Sequence, residues 1–130
     1  MAALLFFPLA QADDKPCTKA DSEKAEKAID RVVTWPQLQK AWLDYGHCDT
    51  GEVAEGYTDA LLRLLVPWKD VEILAAGMKT DAKFRDFVYK HLKSPAAKDD
   101  RPTVYARAKT ACPKGQDEFC AGLVEVVREQ

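Results

Sequence analysis

Asp49-Thr50-Gly51-Glu52-Val53-Ala54-Glu55-Gly56-Tyr57-Thr58-Asp59-Ala60-Leu61-Leu62-Arg63-Leu64-Leu65, closed by Val66-Pro67, is the stretch that decides the fold. Asp49 followed three residues later by Glu52 has the form of a capping box, and Pro67 marks where a helix must stop. At about 100° per residue, Val53, Tyr57, Ala60, Leu61 and Leu64 share one side. Glu52, Glu55 and Asp59 fall within about 60° of one another on a different side. Such a helix is stable only if other helices cover its apolar stripe. Gly56 stands at the border of that stripe, where glycine costs roughly 1 kcal/mol relative to alanine. Its presence predicts close approach by a neighbouring helix or by a second copy of the chain. Gly56→Ala is then expected to gain none of that stability.

Outward from this segment the chain reads as helix after helix. Thr18 or Asp21 can cap a first helix over residues 18–33, with Ala25, Ala28, Ile29 and Val32 as its stripe. Thr34-Trp35-Pro36-Gln37 opens the second with a threonine cap, a first-turn proline and a glutamine at the capping-box position, and Gly46 ends it. A short fourth helix is predicted over residues 68–76 with Gly77 as its stop. Thr80-Asp81 starts a fifth, ended by Ser94-Pro95. Asp100-Arg101-Pro102 begins a sixth, to Cys112, and residues 116–128 form the seventh. Only residues 98–101 resemble an exposed loop. There is no sustained period-two alternation, no Asn-Gly hairpin and no internal repeat. The fold class is all-α: a compact single-domain bundle of about six or seven short helices over residues 13–130.

The N-terminus and the cysteines bear on location. Ala2-Ala3-Leu4-Leu5-Phe6-Phe7-Pro8-Leu9-Ala10 is apolar, and Ala10-Gln11-Ala12 has the small-x-small pattern of a signal-peptidase site. Residues 1–12 therefore read as a secretory signal peptide, and the missing basic opening points to a trimmed or misplaced start. A transmembrane helix needs about 20 apolar residues, and charge begins here at Asp13. The expected location is periplasmic or secreted. In an oxidising compartment Cys17, Cys48, Cys112 and Cys120 read as two disulfides. Pro113-Lys114-Gly115-Gln116 favours a Cys112–Cys120 bridge across a helix–turn–helix corner, and Cys17–Cys48 follows by elimination.

The 130 residues carry a formal net charge of −2, which argues against a general nucleic-acid binder. The charge is polarised, however. Residues 41–62 hold five acids (Asp44, Asp49, Glu52, Glu55, Asp59) and no Lys or Arg, whereas residues 79–114 hold ten bases and four acids. The acidic helix admits several readings: a solvated face, a face for a basic partner, a cation site with His47, Asp49 and Glu52, or paired catalytic carboxylates. Acids one turn apart on an exposed face lack the dissimilar environments that separate acid from base. Asp49 and Glu52 are accounted for as caps at a helix N-terminus. His91, among Phe84, Phe87 and Val88, reads as a packed histidine. No Gly-rich phosphate loop, Gly-x-Ser-x-Gly elbow or His-Glu-x-x-His occurs.

Trp35-Pro36-Gln37-Leu38, the run from Cys48 through Glu55 and Gly56 to Ala60, Phe84-Arg85-Asp86-Phe87-Val88 and the late cysteine pair resemble a group of small secreted bacterial helical proteins. That group is loosely similar to periplasmic immunity proteins that neutralise toxins delivered by competing bacteria. The resemblance implies a disulfide-bonded, often dimeric protein that plugs an effector's active site without being an enzyme. No inhibitory motif carries over, so the partner face rests on charge: Glu52, Glu55 and Asp59 with neighbouring Tyr45. The expected partner is a protein, a basic effector or toxin, with a homodimer as a further expectation. No cofactor, metal, nucleic acid or membrane (after signal cleavage) is expected. An acid-activated periplasmic chaperone is the alternative, and a small metal-binding protein stands behind it.

Overall fold

The computed structural model describes residues 15–128, so the signal-peptide reading of residues 1–12 lies outside the described residues. Seven α-helices follow one another: α1 (Lys19–Asp30), α2 (Trp35–Tyr45), α3 (Gly51–Leu65), α4 (Val71–Thr80), α5 (Ala82–Leu92), α6 (Arg101–Thr110) and α7 (Asp117–Arg128). Short 3-10 turns at Gly46–Cys48 and Pro95–Ala97 precede α3 and α6. No strand forms among the described residues, and no helix among them is long and apolar enough to cross a membrane.

Helix α3 is the axis of the bundle because its stripe is covered from several sides. It buries Val53, Tyr57, Thr58, Ala60, Leu61, Leu62, Leu64 and Leu65, and packs on α1, α2, α5 and the Pro95–Ala97 turn. Tyr57 is fully buried, its hydroxyl donating to the Ala41 carbonyl at 2.9 Å and its ring meeting Phe87 edge-on at 5.1 Å. Burial of that kind stabilises by about 1.5–3 kcal/mol per large apolar side chain. Helix α7 lies on α6 and α5, and α4 on α5 and α2. Both expected disulfides are present: Cys17–Cys48 ties the segment before α1 to the turn before α3, and Cys112–Cys120 ties the α6–α7 corner to α7.

Local signals set most helix ends. Thr18 caps α1 by accepting from the Asp21 N–H. At α2 the Thr34 hydroxyl accepts from the Gln37 N–H, and the Gln37 amide oxygen accepts from the Thr34 and Val33 N–H groups. Asp81 accepts from the N–H groups of Lys83 and Phe84 to open α5. Helix α1 stops at Asp30, short of the expected residue 33. There the Arg63 guanidinium takes the Ile29 and Val32 carbonyls at 2.9 and 3.2 Å.

Two expectations are corrected. Helix α4 begins at Val71 and continues through Gly77 to Thr80. Trp68 and Asp70 both take left-handed backbone conformations, at φ 64° and 44°, so the chain turns there instead of starting a helix. Gly77 is a packing glycine: a Cβ on it would stand 3.0 Å from the Gln39 amide oxygen and 3.6 Å from the Phe84 ring. The second correction concerns Asp49. Thr50, not Asp49, precedes the first turn of α3, and it makes no side-chain cap bond. Gly51, at φ +57°, lets the chain swing into the helix and leaves the Asp49 carboxylate directed elsewhere. The residues expected as a loop, 98–101, form a tight turn in which Arg101 donates to the Leu92 and Ser94 carbonyls, both at 2.9 Å.

Candidate functional site

The helical period places Glu52, Glu55 and Asp59 on the exposed side of α3. Asp59 is engaged by Arg63 one turn on, the same arginine that holds the end of α1. Glu52 and Glu55 make no ion pair or side-chain hydrogen bond among the described residues. Beside them opens a surface groove of about 440 Å³ whose walls include Glu55, Asp59, Arg63, Pro67, Ala96 and Asp100. Three carboxylates thus face one guanidinium that is already committed, and the groove is electronegative. Glu52 and Tyr45 do not line it. Tyr45 is half-buried and packs against the core. Gly56 lies against α1: a Cβ there would meet Ile29 at 3.4 Å, an ordinary contact with room for one methyl group.

On the inner side of α3 the structure assembles a polar chain that the spacing of residues does not show. The Asp49 side chain is 8% exposed, with Oδ2 2.9 Å from His91 Nε2 and 3.0 Å from Lys90 Nζ. An ionised carboxylate only accepts, so Nε2 carries the proton in that contact. The opposite nitrogen of the same ring, Nδ1, is 2.6 Å from the Thr58 hydroxyl. Burial pushes the Asp49 carboxyl up, but hydrogen bonds from His91 and Lys90 outweigh it and hold it below its ordinary value. Asp49 Oδ1 is buried without a partner. The order Thr58–His91–Asp49 has the connectivity of a nucleophile–base–acid relay. Thr58 and His91 are each only 2% exposed, however, and the threonine hydroxyl also reaches back to the Ala54 carbonyl at 3.2 Å. Thr58 also lines the groove beside Glu55, and the chain of contacts fastens α3 to α5.

The turn before α3 is fastened on the other side as well. His47 Nε2 lies 2.9 Å from Asp21 Oδ2 on α1, and that bond holds the Asp21 carboxyl below its ordinary value. His47, Asp49 and Glu52, grouped above as a cation site, therefore have separate fates: one faces α1, one faces α5 and one faces solvent. Residues 47, 48 and 49 are in succession a histidine bonded to α1, a cystine half and a carboxylate bonded to α5. A second open groove, of about 660 Å³, runs between α4, α5 and the start of α7 past Met78, Arg85, Tyr89 and Phe119.

No family model, curated protein or solved structure matches this chain.

Proposed function

We propose that this is an exported, non-enzymatic binding protein of the immunity type, which neutralises a secreted bacterial toxin by covering a basic surface on it. The electronegative groove beside Glu55 carries this reading. A lysine or arginine from a partner, entering between Glu55, Asp59 and Asp100, would gain carboxylate contacts, because Arg63 is engaged with Asp59 and the end of α1 and leaves Glu55 and Asp100 without an ion pair among the described residues. Free carboxylates at a rim steer a basic partner and raise its association rate. Export is supported by the two formed disulfides, which persist where the surroundings are oxidising.

The Asp59–Arg63 pair makes Asp59 a poor site for charge reversal, because a lysine there would push Arg63 off the end of α1. Glu52 and Glu55 are the informative positions. Cells lacking this protein, grown with toxin-delivering competitors, are expected to recover when the wild-type chain is restored and not when Glu52→Lys/Glu55→Lys is supplied in folded form. Full recovery with the double reversal, or no loss of fitness without the protein, contradicts the reading.

A further inference from the structure

The Cys17–Cys48 bridge sits in a set of donor atoms that the two helical faces do not account for. One ligand atom from each of Asp21, His47 and Cys48 lies within 4.8 Å of the others, and the Cys17 sulfur is bonded to that of Cys48. The His47 side chain is 2% exposed. Its Nε2 is engaged only by Asp21, and its Nδ1 is buried with no partner. His47 Nε2 and Asp21 Oδ2 already stand 2.9 Å apart, close to the separation of two ligands on one zinc ion. In the oxidised chain the two sulfurs satisfy each other and only an Asp–His pair remains. Once reduced, the same place offers two thiolates, an imidazole and a carboxylate.

We propose that reduction of Cys17–Cys48 converts this staple into a tetrahedral zinc site formed by Cys17, Cys48, His47 and Asp21. The exchange balances with a dithiol reductant. Its thiolate attacks the sulfur of Cys17, whose residue is exposed, and Cys48 leaves as thiolate. The second thiol of the reductant resolves the mixed disulfide, so the reductant becomes a disulfide and two protein thiols form. A zinc ion then displaces their two protons. Zinc takes sulfur at about 2.3 Å and nitrogen or oxygen at about 2.0–2.2 Å, so donor atoms end roughly 3.3–3.8 Å apart. The sulfurs separate, the Asp21, His47 and Cys48 donors contract by about an ångström, and Cys17, on the short segment before α1, moves in to join them. Two thiolates select zinc over magnesium or calcium. The chain thus holds its N-terminal segment by a metal where surroundings are reducing and by a disulfide where they are oxidising. This inference is independent of the role given to the face of α3.

The test is zinc titration of the full chain, oxidised and after phosphine reduction, beside reduced His47→Gln and Asp21→Asn, with cobalt(II) as a spectroscopic probe. Reduced wild type is expected to bind one zinc at least about 100-fold more tightly than the oxidised chain, with each variant at least about tenfold weaker. Cobalt should give the intense visible bands of a tetrahedral thiolate site. Should reduction lower the helical circular dichroism, zinc is expected to restore it in wild type and not in His47→Gln. Equal zinc affinity in wild type and both variants overturns the proposal, since the metal would then sit on cysteines alone. No zinc binding by the reduced chain overturns it too.

Discussion

Asp49 Oδ2 and His91 Nε2 lie 2.9 Å apart across 42 residues of sequence, and through them the start of α3 is bonded to the end of α5. The contact is buried on both sides and extends to Thr58, so it is a fixed point of the fold. Its consequences are measurable.

Acid stability is the first. The Asp49 carboxyl is held below its ordinary value in the folded chain, whereas in the unfolded chain it titrates near the usual value of about 3.9. A depressed folded value means the stabilisation is complete above about pH 4 and is lost as pH falls through the folded value. Urea melts of the oxidised protein between about pH 6 and pH 2 should therefore show a steeper loss of stability for wild type than for Asp49→Asn. At neutral pH, Asp49→Ala strands a buried ring N–H and is expected to cost about 1.5–3 kcal/mol. Parallel pH profiles for wild type and Asp49→Asn would mean the pair contributes nothing beyond packing.

Thr58→Val keeps the shape of the side chain and removes the hydroxyl 2.6 Å from His91 Nδ1. The ring nitrogen is then buried without a partner, and a loss of about 1–3 kcal/mol in denaturant melts is expected, with the helical spectrum unchanged. A neutral Thr58→Val would show that the chain of contacts ends at His91.

The glycines of α3 and α7 should respond differently to an added methyl group. At Gly56 there is room for a methyl group against Ile29. Contrary to the expectation from sequence, Gly56→Ala should recover up to about 1 kcal/mol of helix propensity. Gly56→Leu should still overpack α1. At Gly122 a Cβ would stand well inside contact distance of the Tyr89 hydroxyl, so Gly122→Ala must push the ring toward the second groove. The hydroxyl is the far end of a side chain with open space beside it, so the strain and the recovered helix propensity are expected to offset to within about 1 kcal/mol. Thermal melts of the three variants decide it.

The two bridges differ in the loops they close, with sequence separations of 31 and 8. Chain entropy alone gives about 3.5–4 kcal/mol for Cys17–Cys48 and about 2.5 kcal/mol for Cys112–Cys120. Replacing each pair by serine and comparing unfolding free energies should preserve that order. A larger loss from the short loop would assign the difference to native packing around the α6–α7 corner.

The sequence was most legible where the deciding interactions are local. The Thr34–Gln37 box, the Asp81 cap and the α3 stripe all act within a turn or two, and each stands where its spacing places it. It was least legible where tertiary contacts override local ones. Gly77 has the form of a helix stop, yet the Gln39 and Phe84 side chains that crowd it make it an interior packing site. Asp49 and Glu52 have capping-box spacing, but charge partners on α5 draw Asp49 inward. Asp21 and His47, 26 residues apart, meet only because the Cys17–Cys48 bridge and the α1–α3 packing fold one onto the other. For the candidate site, composition located the acidic side of α3, while the neutralisation of Asp59 by Arg63 and the groove beside Glu55 required coordinates.

The measurement that bears most directly on the central claim is the association rate between this chain and the basic effector proposed as its partner, followed across ionic strength for wild type and Glu52→Lys/Glu55→Lys. The acidic face of α3 predicts a wild-type rate that falls steeply as salt rises. The double variant should associate at least about tenfold more slowly at low salt, with a flattened or inverted salt dependence. An unchanged rate with an unchanged salt dependence in the folded double variant would contradict the account, leaving Glu52 and Glu55 as solvated surface.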